Sequence, residues 1–412
     1  MDVVCVGGGP AGLYFAICAT KLPGDHRIRV IERDPPGATF GWGVTYPDRM
    51  LDLMYQHDPE SAAEVRARSV GWQEQEWRLH GKAAYIPHFR SSLERASLLD
   101  VLARRAVALG VDVQFGRAVD DLAEFTDADL VVASDGVGST VRRQHGEAFG
   151  TATEVGRNRF IWLGTDHVFP RITFAFEQTR AGWVWMHAYP SSTTSSTCVV
   201  ECSPETWQGL ELDTLGSEEG LRLLEGVFAD VLEGGSLFGQ SRAEPSRWQR
   251  FQHLTNETWY SGNVALMGDA AHAAHFTLAS GTRQALKDAT YLAEALRTQP
   301  DVAHALQRYD QRRRESANRM VASGRRRAEK WENLEHLLDR EVLDFLHARS
   351  GRPEAELRRR RPLYRAQQLG AVRLARRRVG AARRWYRTRQ SWPEHAPATA
   401  QVATAPTAGV GA

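Results

Sequence analysis

Three glycines near the start of the chain, Gly7, Gly9 and Gly12, stand at Gly-x-Gly-x-x-Gly spacing directly after the apolar run Val3-Val4-Cys5-Val6. Their steric roles differ, and cover a tight turn, close approach of the backbone to a pyrophosphate, and close packing of a helix on a strand. With no side chains there, the helix that opens at Pro10-Ala11 can aim its unpaired N–H groups at an anion. A second short apolar-alternating strand, Arg27-Ile28-Arg29-Val30-Ile31, ends at Glu32. That places a carboxylate about 20 residues past the last glycine, where it can hold a ribose hydroxyl. The complete strand, turn, helix, strand and Glu frame reads as a dinucleotide-binding fingerprint.

Two further strands end in acidic, glycine-bearing turns. Leu130-Val131-Val132-Ala133-Ser134 runs into Asp135-Gly136, and Val264-Ala265-Leu266-Met267 runs into Gly268-Asp269. Ligands of open α/β sheets bind outside the carboxyl ends of the strands, where these turns would lie. After the second turn, Ser280-Gly281-Thr282 opens a long helix with Ser280 as its expected N-cap. Its positive end suits a bound negative charge. His272 and His275 fall between that turn and that helix and are the candidates for proton chemistry, since an imidazole titrates near neutral pH.

The elements that position these residues follow from length and patterning. A chain of 412 residues exceeds one small core, and two intimately joined domains are expected. The expected divisions are a first part of a nucleotide-binding domain over 1–155, a sheet domain over 156–258, and a return segment with a long helix over 259–340. An Arg-rich helical region over 341–392 and a disordered tail over 393–412 complete the chain. Pro59 to Arg78 reads as helical and polar, with Trp72 and Trp77 facing inward. From Arg159 the texture becomes period-two: Phe160 and Trp162; Ile172, Phe174 and Phe176; Trp183, Trp185, His187 and Tyr189; Cys198, Val200 and Cys202. Such alternation marks a mostly antiparallel sheet. Most of these aromatics read as core, with Trp185 and His187 as the candidates to line a substrate pocket.

The four cysteines form no disulfide or zinc pattern; Cys198 and Cys202 on one strand would stand roughly 13 Å apart at about 3.3 Å per residue. No metal site is expected. An apolar strand starting at Val3 leaves no room for a signal peptide, and no apolar run reaches membrane-spanning length, so a soluble cytoplasmic protein is expected. The net charge of +2 conceals an asymmetry: Leu357 to Gln390 is rich in arginine and holds no acidic residue.

In these motifs, their order and their separations, Met1 to Glu341 resembles the single-component FAD-dependent aromatic hydroxylases, whose fold is that of para-hydroxybenzoate hydroxylase. The implied fold class is α/β: a Rossmann-like FAD-binding domain with an inserted, mostly antiparallel β-sheet substrate domain and a helical C-terminal region. Phe40-Gly41-Trp42-Gly43-Val44 and the run from Gly268 to Thr282 look most like the branch of salicylyl-CoA 5-hydroxylase, anthraniloyl-CoA monooxygenase and the violacein-pathway indole hydroxylase. The chain lacks the proline and Gly-x-Gly-x-Asn run that most of the wider family carries after Gly-Asp, which supports the branch. It has Arg283 where that branch leads one to expect lysine.

The resemblance implies an FAD site built from the fingerprint residues, Glu32, Arg33, the Gly41-Trp42-Gly43 loop, Arg95, Asp135, Gly136, Gly268, Asp269, Ser280, Gly281 and Thr282. It implies hydroxylation of an electron-rich aromatic or indole ring with NAD(P)H and O2 through a flavin C4a-hydroperoxide, on a free or CoA- or carrier-tethered substrate. A flavin-dependent halogenase is the alternative that Trp183-Val184-Trp185 suggests. A non-catalytic FAD protein with a nucleic-acid-binding Arg-rich tail is another; the same arginines would also suit the phosphates of a CoA.

Overall fold

The computed structural model describes residues 1–38, 41–239 and 246–392. Phe40 and the 393–412 segment expected to be disordered lie outside them. Two sheets organise the chain. The first has six strands in the spatial order Tyr260–Ser261, Val264–Leu266, Leu130–Ala133, Asp2–Val6, Arg27–Glu32 and Asp112–Phe115. All its pairings are parallel except that of the two-residue Tyr260–Ser261 edge. The helix Pro10–Ala19 is buried along its whole length, because the sheet and the helices Arg95–Ala108 and Gly281–Thr298 all pack against it. Its sequence is accordingly apolar all round.

The second sheet has nine strands. The path runs Leu237–Phe238, Ala152–Thr165, Ser196–Cys202, Gly182–Pro190, Ile172–Thr179, Val70–Leu79, Lys82–Glu94 and Gly43–Tyr46, with Gln249–Thr255 pairing alongside Ala152–Thr165. It therefore takes three strands from residues 43–94, inside the stretch read from sequence as nucleotide-binding domain. Pro59 to Arg78 is also not one helical run: a helix covers Pro59–Ala67, and Val70–Leu79 is a strand. A bulge between Trp72 and Glu74 shifts the period-two alternation, so the spacing of the two tryptophans imitates a helix.

One face of this sheet packs Ile161, Leu163, Val184, Met186, Cys198 and Val200 against Leu224, Phe228 and Val231 from the helical segment that follows the Ser196–Cys202 strand. The other face presents Trp77, Phe174, Phe176, Trp183 and Trp185 to Trp331, Leu334 and Phe345. With both faces covered, every residue of Ser196–Cys202 is buried. The four cysteines are free and buried, and Cys198 and Cys202 share that strand.

After the 31-residue helix Val302–Glu332, the helices Val342–Arg349, Glu354–Gln368 and Gly370–Ser391 return over the sheet. Pro362 sits inside one of them. The Arg-rich segment is docked, in contrast to a solvated arm. Gln368 exchanges two amide hydrogen bonds with the Tyr85 backbone at 2.7 and 3.2 Å. Arg373 pairs with Glu74, and Trp392 stacks on Tyr55 at 4.5 Å. Among the described residues no helix is long and apolar enough to cross a membrane.

Asp58 shows how charge is handled in this fold. Its buried carboxylate caps the Pro59–Ala67 helix through the Ser61 N–H at 3.1 Å and receives Lys21 at 2.8 Å and Arg105 at 2.7 Å. Burial alone would raise this carboxyl, but the hydrogen bonds from Arg105, Lys21 and Ser61 outweigh it and hold the group well below the usual carboxylate range. A depressed folded-state pKa contributes stability above the unfolded value, near 4, and that contribution is lost as pH falls toward the folded value. Asp58→Asn is expected to cost about 2–3 kcal/mol at pH 7 and to flatten the fall of stability below pH 4. Urea unfolding followed from pH 7 to pH 2 checks both.

Candidate active site

The fingerprint turn closes against the end of the Leu130–Ala133 strand. Gly7 has φ +106°, and a side chain there would overlap the Ser134 carbonyl. One at Gly12 would overlap the Gly7 carbonyl and the Ser134 hydroxyl, which donates to Val6 and Gly7 at 3.0 and 2.9 Å. Gly9 differs: a Cβ there would meet only the Ser134 oxygen, at 3.9 Å. Its bareness is not required by the protein's own packing. The Glu32 carboxylate accepts the Gly8 and Asp34 N–H groups at 2.6 and 2.9 Å, which joins the turn to the second strand.

These residues border a cavity of about 810 Å³ whose lining includes Gly7, Gly9, Pro10, Ala11, Glu32, Arg33, Arg95, Asp135, Gly136, Asp269, Gly281 and Thr282. The structure thus brings three separate sequence motifs to one void. Several polar groups there have no partner among the described residues. The Arg95 Nε is buried and unbonded, as is one oxygen of Asp135, whose other oxygen accepts Thr140 N–H at 2.7 Å. Burial lowers the Arg95 guanidinium while Asp269 opposes the shift. The Asp269 carboxyl, enclosed by protein but open to the void, is raised by burial against the pull of His272 and Arg95. Ser280 stands at the N-cap position of Gly281–Thr298, yet its side chain makes no cap and turns to the Met320 sulfur at 3.3 Å. The helix therefore offers an uncapped N-terminus. A bare backbone beside free N–H groups, with a carboxylate at each end of the void, suits a pyrophosphate flanked by hydroxylated sugar chains.

Beyond that helix end the Gly41-Trp42-Gly43 loop and the Phe276–Leu278 turn lie over the inner face of the large sheet, and the region they border is the candidate substrate cleft. Gly41, at φ +87°, lies against the Trp162 ring. Tyr189 donates its hydroxyl to the Gly43 carbonyl at 2.9 Å, and the buried Trp42 Nε1 has no partner among the described residues. On the other side Phe276 stands 5.0 Å from Phe160 and 5.9 Å from His187, ring to ring. His187 is 5% exposed and, among the described residues, makes no hydrogen bond; it is held between Phe174 at 5.0 Å and Trp331 at 4.5 Å. His275 shares a proton with the Thr277 hydroxyl at 2.9 Å and lies over His253 at 6.0 Å. Burial, then the nearby His275, Arg349 and Arg327, drive His187 well below the usual imidazole range. Burial, then His253 and Arg327, take His275 down to about 3.

Two residues read from sequence as pocket chemistry stand elsewhere. His272 is turned away from the cleft: its Nε2 meets Asp288 at 2.7 Å and its ring stacks on Trp259 at 5.1 Å. The chain between His272 and His275 is extended and not helical, so the two imidazoles point to opposite sides. Trp185 is fully buried in the aromatic layer against Phe176 and Trp331, where period-two core patterning accounts for the Trp183-Val184-Trp185 spacing. Sequence reasoning did not single out Phe276 as a wall, although it lies in a quoted motif. Trp331, on a helix far along the chain, carried no local signal.

The fold and the cavity at the ends of the parallel strands are those of a dinucleotide-binding oxidoreductase. A family model described as FAD binding domain matches residues 1–323. Salicyloyl-CoA 5-hydroxylase of Streptomyces sp is 36% identical over 344 residues, covering 81% of this chain and 66% of that protein. The 3-hydroxy-4-methyl-anthranilyl-(aryl-carrier protein) 5-monooxygenase of Streptosporangium sibiricum is 38% identical over 352 residues, covering 85% of this chain and 95% of that protein. Among solved structures, 2-methyl-3-hydroxypyridine-5-carboxylic acid oxygenase in its tetrameric form shares the fold at a TM-score of 0.64 and 23% identity, over 84% of this chain and 95% of that chain. The chain belongs to this FAD-binding family and is an FAD-dependent aromatic monooxygenase, with NAD(P)H as its reductant.

The glycines separate a folding role from a ligand role. Gly9→Val is expected to keep the melting temperature of the FAD-free protein within a few degrees while losing FAD affinity a hundredfold or more. Gly12→Val, with nowhere to place its side chain, is expected not to fold. Asp269→Ala should weaken FAD roughly tenfold. Flavin absorbance per polypeptide, set beside circular-dichroism melting, distinguishes the three.

Proposed function

We propose that this monooxygenase hydroxylates the electron-rich ring of an aromatic acyl thioester. The observation that carries the reading is the cleft beside the uncapped Gly281–Thr298 helix, walled by Phe160, Trp162 and Phe276 and holding an unpartnered His187. The known relatives act, by their names, on CoA-linked and carrier-linked aromatic acids, which supports a thioester for this chain.

FAD, reduced by NAD(P)H, supplies the activation of O2 and the electrophilic oxygen. The chain's own residues do the rest. Gly7 and Gly9 would bring bare backbone to the pyrophosphate, Glu32 would hold a ribose, and Asp269 would hold the ribityl chain. The free N–H groups of Gly281 and Thr282 stabilise the negative charge of the reduced cofactor. The aromatic walls exclude water, so that oxygen transfer is not lost as hydrogen peroxide.

His187 and His275, neutral at working pH, act as hydrogen-bond acceptors that orient a ring hydroxyl or ring N–H. Burial holds both imidazoles below their usual range, so orientation outweighs proton storage in their contribution. His272 acts as a positioning residue through Asp288 and the Gly268-Asp269 turn.

His187→Ala should lower the yield of hydroxylated product per NAD(P)H oxidised by fivefold or more with FAD retained. His272→Ala should instead lower the melting temperature and FAD content. Product quantified against NAD(P)H consumption, with aryl-CoA thioesters and the free acids side by side, tests both the cleft and the substrate class. Wild-type coupling in both His187→Ala and His275→Ala would move the substrate out of this cleft. Equal turnover of thioester and free acid would remove the thioester reading.

A further inference from the structure

We propose that Arg90, Arg283 and Arg327, with His88 beside them, form the site that receives the phosphate of a phosphopantetheine arm while the aromatic acyl group it carries occupies the flavin cleft. The proposal deepens the thioester reading and rests on it.

Three separate elements deliver these arginines to the open side of the cleft. Arg90 stands on Lys82–Glu94 directly opposite Trp72, whose ring is 6.2 Å from that of Tyr189, so it belongs to the cleft-facing side of the sheet. Arg283 is in the first turn of the helix that meets the flavin. Arg327 lies seven residues along Val302–Glu332 from Met320, the residue that takes the Ser280 hydroxyl. That is two turns on the same helix face, about 10 Å farther out. His88 lies under the combined field of Arg90 and Arg327. It also lines a groove of about 230 Å³ beneath the C-terminal helix, together with Phe89, Arg376 and Arg377.

Other arginines of this fold are paired with carboxylates. Arg105 is held by Asp58, Arg313 by Asp288, and Arg171 by Glu74 and Glu76. Among the described residues, Arg90, Arg283 and Arg327 make no ion pair or hydrogen bond, and the Arg283 Nε is covered by protein with nothing to bond. Asp48, the acid that acts on Arg90, is already engaged by Arg384 and Arg387. Burial, then neighbouring guanidinium groups, disfavour the charged forms: Arg283 and Arg327 act on Arg90, and Arg49 and Arg313 act on Arg283. Like charges gathered without counter-ions destabilise the free protein, and a bound dianion offsets that cost. Planar guanidinium forks converging from three sides match the tetrahedral oxygens of a phosphate.

The test compares Arg90→Ala, Arg327→Ala and the double variant as FAD-loaded enzymes. The substrates are an aryl-CoA, the corresponding S-aryl pantetheine lacking phosphate, the same acyl group on a carrier protein, and the free acid. Each substitution is expected to lower the ratio of kcat/KM for the phosphate-bearing thioester to that for the pantetheine thioester about tenfold. That corresponds to about 1.4 kcal/mol. A loss seen with CoA assigns the arm to free coenzyme, and a loss confined to the carrier thioester assigns it to a protein-mounted arm; either supports the site.

Melting temperatures of the variants should stay level or rise, because repulsion is relieved. A fall of more than about 5 °C would make the arginines structural and overturn the proposal. A raised KM for NAD(P)H with an unmoved thioester ratio would give them to the reductant and overturn it as well. If the wild-type enzyme prefers thioester to free acid yet the ratio is unmoved, only the phosphate site fails. If the wild-type enzyme shows no such preference, the substrate reading fails with it.

Discussion

The buried carboxylate of Asp288 is the point on which the active site hangs. It accepts the Gly268 N–H at 3.1 Å, His272 Nε2 at 2.7 Å and Arg313 Nε at 2.7 Å. One side chain thus locks the Gly268-Asp269 turn to both long helices. Burial would raise this carboxyl, but His272 and Arg313 outweigh burial and keep it charged. Ion groups removed from water are tolerated only when every member is paired, and loss of one partner leaves the rest uncompensated. The positions of Asp269 and of the Gly281–Thr298 N-terminus follow from this closed network, which is why His272 serves the site from behind.

The large sheet resolves a competition between packing and access. Covered on both faces, it uses most of its inner aromatics as core: Trp77, Phe176 and Trp185 are spent on Trp331 and Phe345. Toward the flavin end the cover changes from the Val302–Glu332 helix to two short segments, the Gly41-Trp42-Gly43 loop and the Phe276 turn. Their small or turned residues leave a gap. His187 lies at this boundary, enclosed enough to be neutral and, among the described residues, without a hydrogen-bond partner. A buried polar group left unpaired costs about 1–3 kcal/mol, and a ligand that bonds it recovers that energy.

The arginines of the C-terminal region divide in the same way. Arg373, Arg384 and Arg387 bind the body through Glu74, Asp48, Asp52 and the ring of Phe89. The segment is therefore part of the structure, and its removal would take Trp392 from Tyr55 and Arg373 from Glu74. What remains of its charge faces outward or lines the groove. The acids of the body are consumed by this docking, which leaves the arginines nearer the cleft without counter-ions.

By itself the sequence determined the cofactor and the α/β class. Gly7, Gly9, Gly12, Glu32, Asp135 and Asp269 act through backbone geometry and short-range turns, which spacing encodes directly. The alternating aromatics likewise announced a sheet, because side-chain direction along a strand repeats every two residues. Only the tertiary structure decided which histidine faces the ligand, since His272 and His275 differ by how an extended chain turns between them and by where Asp288 stands. Only it could separate Trp185 from His187, which share a strand face and both meet Trp331, and differ in that His187 also meets the Phe276 ring. And only it could sort paired from unpaired arginines, because an ion pair is a property of two residues brought together from far apart in the chain, and a run of like charges says nothing about which of them will meet a carboxylate.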